Sequence, residues 1–198
     1  GWRQGDAATA APPALATRLR MELERLLQRE PWPQALELLE QWQALPLLDE
    51  QLQNDPWRTQ RLRWAQRLGL PLMPAFLLGA ADPLAVAQRL QIPGKQQQWL
   101  QQCGALRDWL VETPPALEAT PSIWSTALEQ QGCSPEAVAL VVTLRPPQWK
   151  PLLRWWGRWR RIQAPQTARD LIAEGWQPGP AIGEELRRQR SAAQDRSR

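Results

Sequence analysis

Residues 149–190, WKPLLRWWGRWRRIQAPQTARDLIAEGWQPGPAIGEELRRQR, hold the side chains best suited to chemistry in this sequence. Arg154, Arg158, Arg160 and Arg161 interleave with Trp155, Trp156 and Trp159. Arginines supply salt-dependent contacts to phosphate, and exposed indoles can stack on bases or ribose. At helical spacing, however, Trp155 and Trp159 fall on one face and Trp156 lies nearby. At least two of the three are therefore expected in a core, which leaves the arginines to carry recognition.

The second half of the segment has its own layout. Thr167 is placed to cap a helix, and Asp170 three residues later completes a capping box with Asp in place of Glu. Leu171 and Ile172 follow, and Gly175 supplies the left-handed residue that turns the chain, after which Trp176 is expected to tuck back towards the core. Gln177-Pro178-Gly179 makes a tight turn, in which Gly179, between two prolines, is the position least able to accept a side chain if its φ is positive. Pro180 then opens a second helix, with Ile182 and Leu186 facing the first and Gly183 allowing close packing. This is the layout of a helix-hairpin-helix. Free N–H groups and the dipole at the second helix's start would cradle a phosphate, with Arg187, Arg188 and Arg190 adding charge. The same glycines and prolines also suit a plain helical corner, and spacing does not choose between the two. With Arg169, the candidate RNA-binding set is Arg154, Arg158, Arg160, Arg161, Arg169, Gly175, Gly179, Gly183, Arg187 and Arg188.

Charge supports placing the binding part here. Residues 1–144 carry 12 basic and 15 acidic side chains, a net −3, whereas residues 145–198 carry 12 basic and 5 acidic, a net +7. All cations except Lys95 and Lys150 are arginine. The planar fork of arginine suits phosphate, although a GC-rich genome gives the same bias. No histidine is present, which excludes triad hydrolases and His-ligated metal sites. Cys103 and Cys133 are too few and too far apart in sequence for a disulfide framework or zinc knuckle, and read as buried, inert thiols. No apolar stretch approaches the roughly 20 residues that cross a bilayer, and the N-terminal residues lack the layout of a secretory signal, so a cytoplasmic protein without membrane contact is expected.

The elements that must position these residues read as all-α, an array of short helices ending in the helix-hairpin-helix-like tail. Residues 1–15 read as a flexible leader, 16–70 and 71–147 as a helical body, and 148–198 as a basic tail. Leu15, Leu19, Leu23, Leu26 and Leu27 mark an amphipathic first helix ending before Pro31. Pro33 opens a second that stops before Pro46. Asp55 is expected to cap a third that carries Trp57, Leu62, Trp64 and Leu68 and closes at Gly69. Helices of about ten residues around 75–79 and 83–90 precede a longer one from Lys95 to Val111, buried through Trp99, Leu100, Cys103 and Leu106. Ser122 and Ser134 are expected N-caps of the next two. The caps make the ambiguous run 138–143 helical.

The pattern DLI..GW.PGPAIGE.L...R, from Asp170 to Arg190, resembles the closing motif of bacterial class II CCA-adding tRNA nucleotidyltransferases and related poly(A) polymerases. Residues 18–27 look like the neck helix of that family, and residues 49–68 like the opening of its helical body. The resemblance implies that residues 16–70 are neck end and body start, 71–147 body, and 148–198 a tail that holds the tRNA elbow and acceptor stem. Two departures are Ala168, where the family has glycine, and Thr17, where it has glutamate.

The family's catalytic head uses a Gly-Ser motif for nucleotide phosphates, an Asp-x-Asp pair for two metals and an Glu-Asp-x-x-Arg motif for base selection. This sequence contains none of the three. Phosphoryl transfer depends on charge neutralisation at the metals, so the chain alone is expected to be inactive. Mg²⁺ and CTP or ATP would belong to the absent head, which is itself an expected partner, and the start at Gly1 suggests truncation. A helical adaptor that binds a protein or another RNA through its arginine-rich end is the rival reading, and a helix-hairpin-helix DNA-binding module a weaker one.

Overall fold

In a computed structural model the described residues are 13–29 and 31–197, so most of the leader expected at 1–15 lies outside them. Among these residues there are twelve α-helices, two 3₁₀ helices and no strand. The chain divides between Gln101 and Gln102 into two compact units.

The N-terminal unit holds α1 (Pro13–Gln28), α2 (Trp32–Gln41), a 3₁₀ turn (Leu45–Leu47), α3 (Glu50–Gln53), α4 (Arg58–Arg67), α5 (Leu72–Leu77) and α6 (Pro83–Arg89). It also holds the first part of α7 (Gly94–Glu112). Phe76, Leu77, Leu62, Leu52 and Leu45 form its fully buried centre. The first helix is amphipathic as expected, but its phase is rotated. Ala16, Leu23 and Leu27 are buried, whereas Leu15 is 56% and Leu19 40% exposed. An alanine therefore fills the contact that a leucine was expected to make. The second helix stops at Gln41, earlier than expected, because Gln43 takes a left-handed turn (φ 53°) and Pro46 falls inside the 3₁₀ turn. Helices α5 and α6 run for only 6 and 7 residues.

Asp55 does not cap α4. Its Oδ1 accepts from Trp57 N at 3.0 Å, the helix starts at Arg58, and its other oxygen pairs with Arg61 inside the unit. The Arg61 guanidinium also donates to Ala75 O (2.6 Å) and Phe76 O (3.3 Å), carbonyls in the last turn of α5. One turn earlier, buried Arg58 donates to Leu52 O (2.9 Å) and Glu40 Oε2 (2.5 Å). Helices this short leave most of their carbonyls without a partner of their own, and two arginine forks on one face of α4 supply the donors.

The C-terminal unit holds the remainder of α7, then α8 (Pro121–Gln130), α9 (Pro135–Thr143), α10 (Trp149–Gly157), a 3₁₀ turn (Trp159–Arg161), α11 (Ala168–Ala173) and α12 (Pro180–Asp195). Every residue from Ala137 to Thr143 is buried, as a helix apolar on all sides requires. Ser134 caps α9 as expected. The cap of α8 is Thr120, one residue before Pro121, and not Ser122. Ser122 instead gives its N–H and hydroxyl to the Asp195 carboxylate, both at 2.9 Å. Trp99, Leu100, Cys103 and Leu106 are all buried along α7. Cys103 donates to Ala137 O, and burial pushes its thiol well above the ordinary range; Cys133 is half-buried.

Two glycines should respond with opposite sign. A Cβ on Gly79 would fall inside contact distance of both Asp55 and Arg61, whereas one on Gly104, within α7, meets nothing within 4 Å. Gly79→Ala should cost about 3 kcal/mol by disturbing a buried ion pair. Gly104→Ala should add up to about 0.8 kcal/mol through helix propensity. Urea unfolding midpoints measure both.

Candidate nucleic-acid interface

Helix α10 is positioned by its apolar face. Leu152, Trp155 and Trp159 are buried, as the spacing of the tryptophans implies, and Trp156 is half-buried. On the opposite side Lys150, Arg154 and Arg158 recur every four residues and are exposed, and Arg161 extends the basic surface through the 3₁₀ turn. Among the described residues the guanidinium groups of Arg154, Arg158 and Arg161 have no hydrogen-bond or ion-pair partner. Arg160 differs: it is half-buried and its Nε donates to Trp156 O at 2.6 Å.

The hairpin forms as read, with exceptions that bear on its role. Thr167 and Asp170 make the reciprocal capping box, Thr167 N donating to Asp170 Oδ2 at 2.8 Å. Gly175 has φ 98° and closes α11 in a Schellman turn, with Trp176 N donating to Leu171 O and Gly175 N to Ile172 O, both 3.0 Å. Leu171 and Ile182 are the buried residues of α11 and of the start of α12, two helices that pack against each other. Three expectations are corrected. Gly179 has φ 164° and ψ −173°, an extended backbone, and a Cβ there meets open space, so no positive φ demands glycine. A Cβ on Gly183 would lie 3.7 Å from Arg187 Nη1, an ordinary contact, so no close helix packing depends on it. Trp176 is 38% exposed and Ile172 46%, so the indole does not return to the core.

The hairpin's cations are less available than those of α10. Arg188 grips Glu185 with Nε and Nη2, both at 2.7 Å, and these bonds with one from Gln189 hold the Glu185 carboxyl down to about 2. Arg190 donates to Ile162 O (2.9 Å) and holds both Glu129 oxygens (2.6 and 3.0 Å). Arg169 and Arg187 remain exposed. Buried Gln194 donates to Trp159 O at 3.1 Å, so the later part of α12 fastens α8 and the 3₁₀ turn rather than facing a ligand. Charge repeats the division: residues 145–161 carry six basic and no acidic side chains, whereas residues 167–195 carry four basic and five acidic. That contrast was legible in the sequence, and averaging over the whole tail concealed it.

The chain matches no family model, no curated protein and no solved structure. Among the described residues no group of three or more metal-ligating side chains is assembled, and no helix is long and apolar enough to cross a membrane.

The corrected hairpin geometry reverses one expectation about its glycines. Gly175→Ala should cost about 1–2 kcal/mol for the left-handed backbone, and Thr167→Ala about 1 kcal/mol for the lost cap. Gly179→Ala should stay within about 0.5 kcal/mol of the parent. Chemical denaturation checks all three.

The capping box also has a pH signature. Hydrogen bonds from Thr167 lower the Asp170 carboxyl below its ordinary 3.8. Its stabilising contribution is therefore complete above pH 3.8 and is lost as pH falls through the lowered value. The stability difference between the parent and Asp170→Asn should be constant near neutrality and shrink below that point in acid-titrated unfolding curves.

Proposed function

We propose that this chain binds tRNA through the basic face of α10 and the following 3₁₀ turn, as the neck, body and tail part of a tRNA nucleotidyltransferase of the CCA-adding and poly(A) polymerase kind. The observation that carries the binding reading is the run of six cations without a carboxylate in residues 145–161, with Arg154, Arg158 and Arg161 exposed and unpaired. Such a surface attracts a polyanion by counterion release and reads shape and backbone rather than base edges. Buried Trp155 and Trp159 hold the element that carries it, so the arginines are presented from a fixed helix. Arg169 and Arg187 border the hairpin and would contribute at its margin.

The nucleotidyltransferase assignment rests on the resemblance of residues 170–190 to that family's closing motif. In the parent reaction a head bearing Mg²⁺ and CTP or ATP would add CMP or AMP to the tRNA 3′ end in the cytoplasm. The present residues would hold the elbow and acceptor stem. They lack the Asp-x-Asp pair that such chemistry requires, so their role is to grip and orient.

Binding of tRNA, followed by fluorescence anisotropy across a salt series, tests this. If about four phosphates are neutralised, log K should fall against log salt with a slope of roughly −3 to −4. Reversing Arg154, Arg158 and Arg161 to glutamate should abolish measurable binding, whereas Arg188→Ala should change affinity less than about threefold, because that guanidinium is already held by Glu185. An affinity indifferent to salt would instead favour the protein-binding adaptor. The same preparation should incorporate no labelled CMP or AMP into tRNA.

A further inference from the structure

Arg145 and Lys150 lie on the ring of a single tryptophan. The Arg145 guanidinium carbon is 4.9 Å and Lys150 Nζ 5.8 Å from the ring centroid of Trp149. Both cations are exposed, and among the described residues neither has a carboxylate or hydrogen-bond partner. Arg145 follows α9 with φ 53°, a left-handed backbone that an arginine adopts at some cost. That turn places its side chain over an indole that belongs to the first residue of α10. A guanidinium held against an indole keeps N–H donors available to a ligand, and the contact removes rotamer freedom that binding would otherwise remove.

From this arrangement we infer that Arg145, Trp149 and Lys150 form a phosphate clamp, in which the indole holds two cations for RNA backbone phosphates and is not itself a platform for a base. The inference rests on the RNA-binding reading above and gives a specific arrangement to the first two cations of that basic run, upstream of Arg154, Arg158 and Arg161. Three features favour phosphate over a stacked base. The ring already carries two cations, no acidic side chain occurs between residues 145 and 161 to neutralise them, and among the described residues the two cations keep N–H donors without a protein acceptor. A ligand phosphate would accept from the guanidinium edge and the ammonium while the cation–π contacts persist.

The test uses the full chain with two probes, a tRNA and inorganic polyphosphate, which has phosphates and no bases. Arg145→Gln and Lys150→Gln should each weaken both probes about fivefold to tenfold near 0.1 M salt and reduce the salt slope by about one unit. Glutamine suits position 145, because Gln43 and Gln91 take the same left-handed backbone in this chain. Trp149→Ala should weaken both probes about threefold to fivefold with the slope retained, since the charges remain but are no longer held, and Trp149→Phe should recover most of the loss. Melting curves confirm that each variant is folded. A Trp149→Ala variant that loses tRNA affinity but keeps polyphosphate affinity would make the indole a base platform and overturn the clamp. Unchanged affinity and slope in the Arg145→Gln, Lys150→Gln double variant would overturn it while leaving RNA binding intact. If the parent chain binds polyphosphate through these residues but not tRNA, the clamp stands and the RNA reading falls.

Discussion

Arg61 occupies the interior of the N-terminal unit, where its guanidinium meets Asp55 and the carbonyls of Ala75 and Phe76. Moving a charge out of water is costly, and a buried ion pair repays that cost only when its remaining donors are also satisfied. Here Nε and Nη2 are satisfied by Asp55 and by Ala75 O and Phe76 O in the last turn of a six-residue helix, Phe76 O also accepting from Gly79 N. The two are linked: Arg61 supplies the donor for Ala75 O, and the arginine can be buried because α5 and Asp55 accept its hydrogen bonds. Gly79 follows from the same arrangement, since no side chain fits beside the pair. The phase of α4 follows too, with Arg58 and Arg61 both turned inward.

The same solution recurs where other short elements meet. Arg89 donates to Leu48 O, Arg160 to Trp156 O, and Arg190 joins Ile162 O to Glu129. An all-helical chain interrupted by twenty prolines has many helix ends. Each C-terminal end presents carbonyls that need donors, and a rigid fork of N–H groups can meet a carbonyl and a second acceptor at once, as Arg58, Arg61 and Arg190 do, where an ammonium meets them only as a point charge. The dominance of arginine over lysine thus has a structural cause beside phosphate recognition and genome composition.

Local chemistry was readable in the sequence because it depends on residues three or four apart. The Thr167–Asp170 box, the Ser134 cap, the left-handed Gly175 and the buried face of α7 all belong to this group. The cap of α8 was also within reach, since a proline at the first helical position points to the residue before it, Thr120. Other features depended on partners far along the chain. Asp55 read as a cap because its alternative partner, Arg61, is recognisable only once α5 is packed beside it. Arg190 read as a free cation because Glu129 lies 61 residues away. The rotated phase of α1 had a subtler origin: Ala16 and Leu15 are both apolar, and packing rather than periodicity decides which is covered.

Separating engaged from unengaged arginines also narrows where a polyanion can bind. A guanidinium that completes a buried carbonyl cannot leave it for a ligand without exposing an unsatisfied acceptor, a loss of about 1–3 kcal/mol that any phosphate contact would first have to offset. Arg58, Arg61 and Arg190 are excluded from the proposed surface on that ground, and Arg188 is handicapped by its grip on Glu185. An arginine without such ties gives up only its contacts with water. Arg154, Arg158 and Arg161 are in that position, on an element whose opposite face is anchored by Trp155 and Trp159. Anchoring matters as much as freedom, because cations on a fixed helix lose less entropy on meeting a phosphate than cations on a mobile segment. Charge separates the two halves of the basic tail, and the partners each charge already has separate them further; both favour α10 over the following hairpin as the proposed polyanion surface.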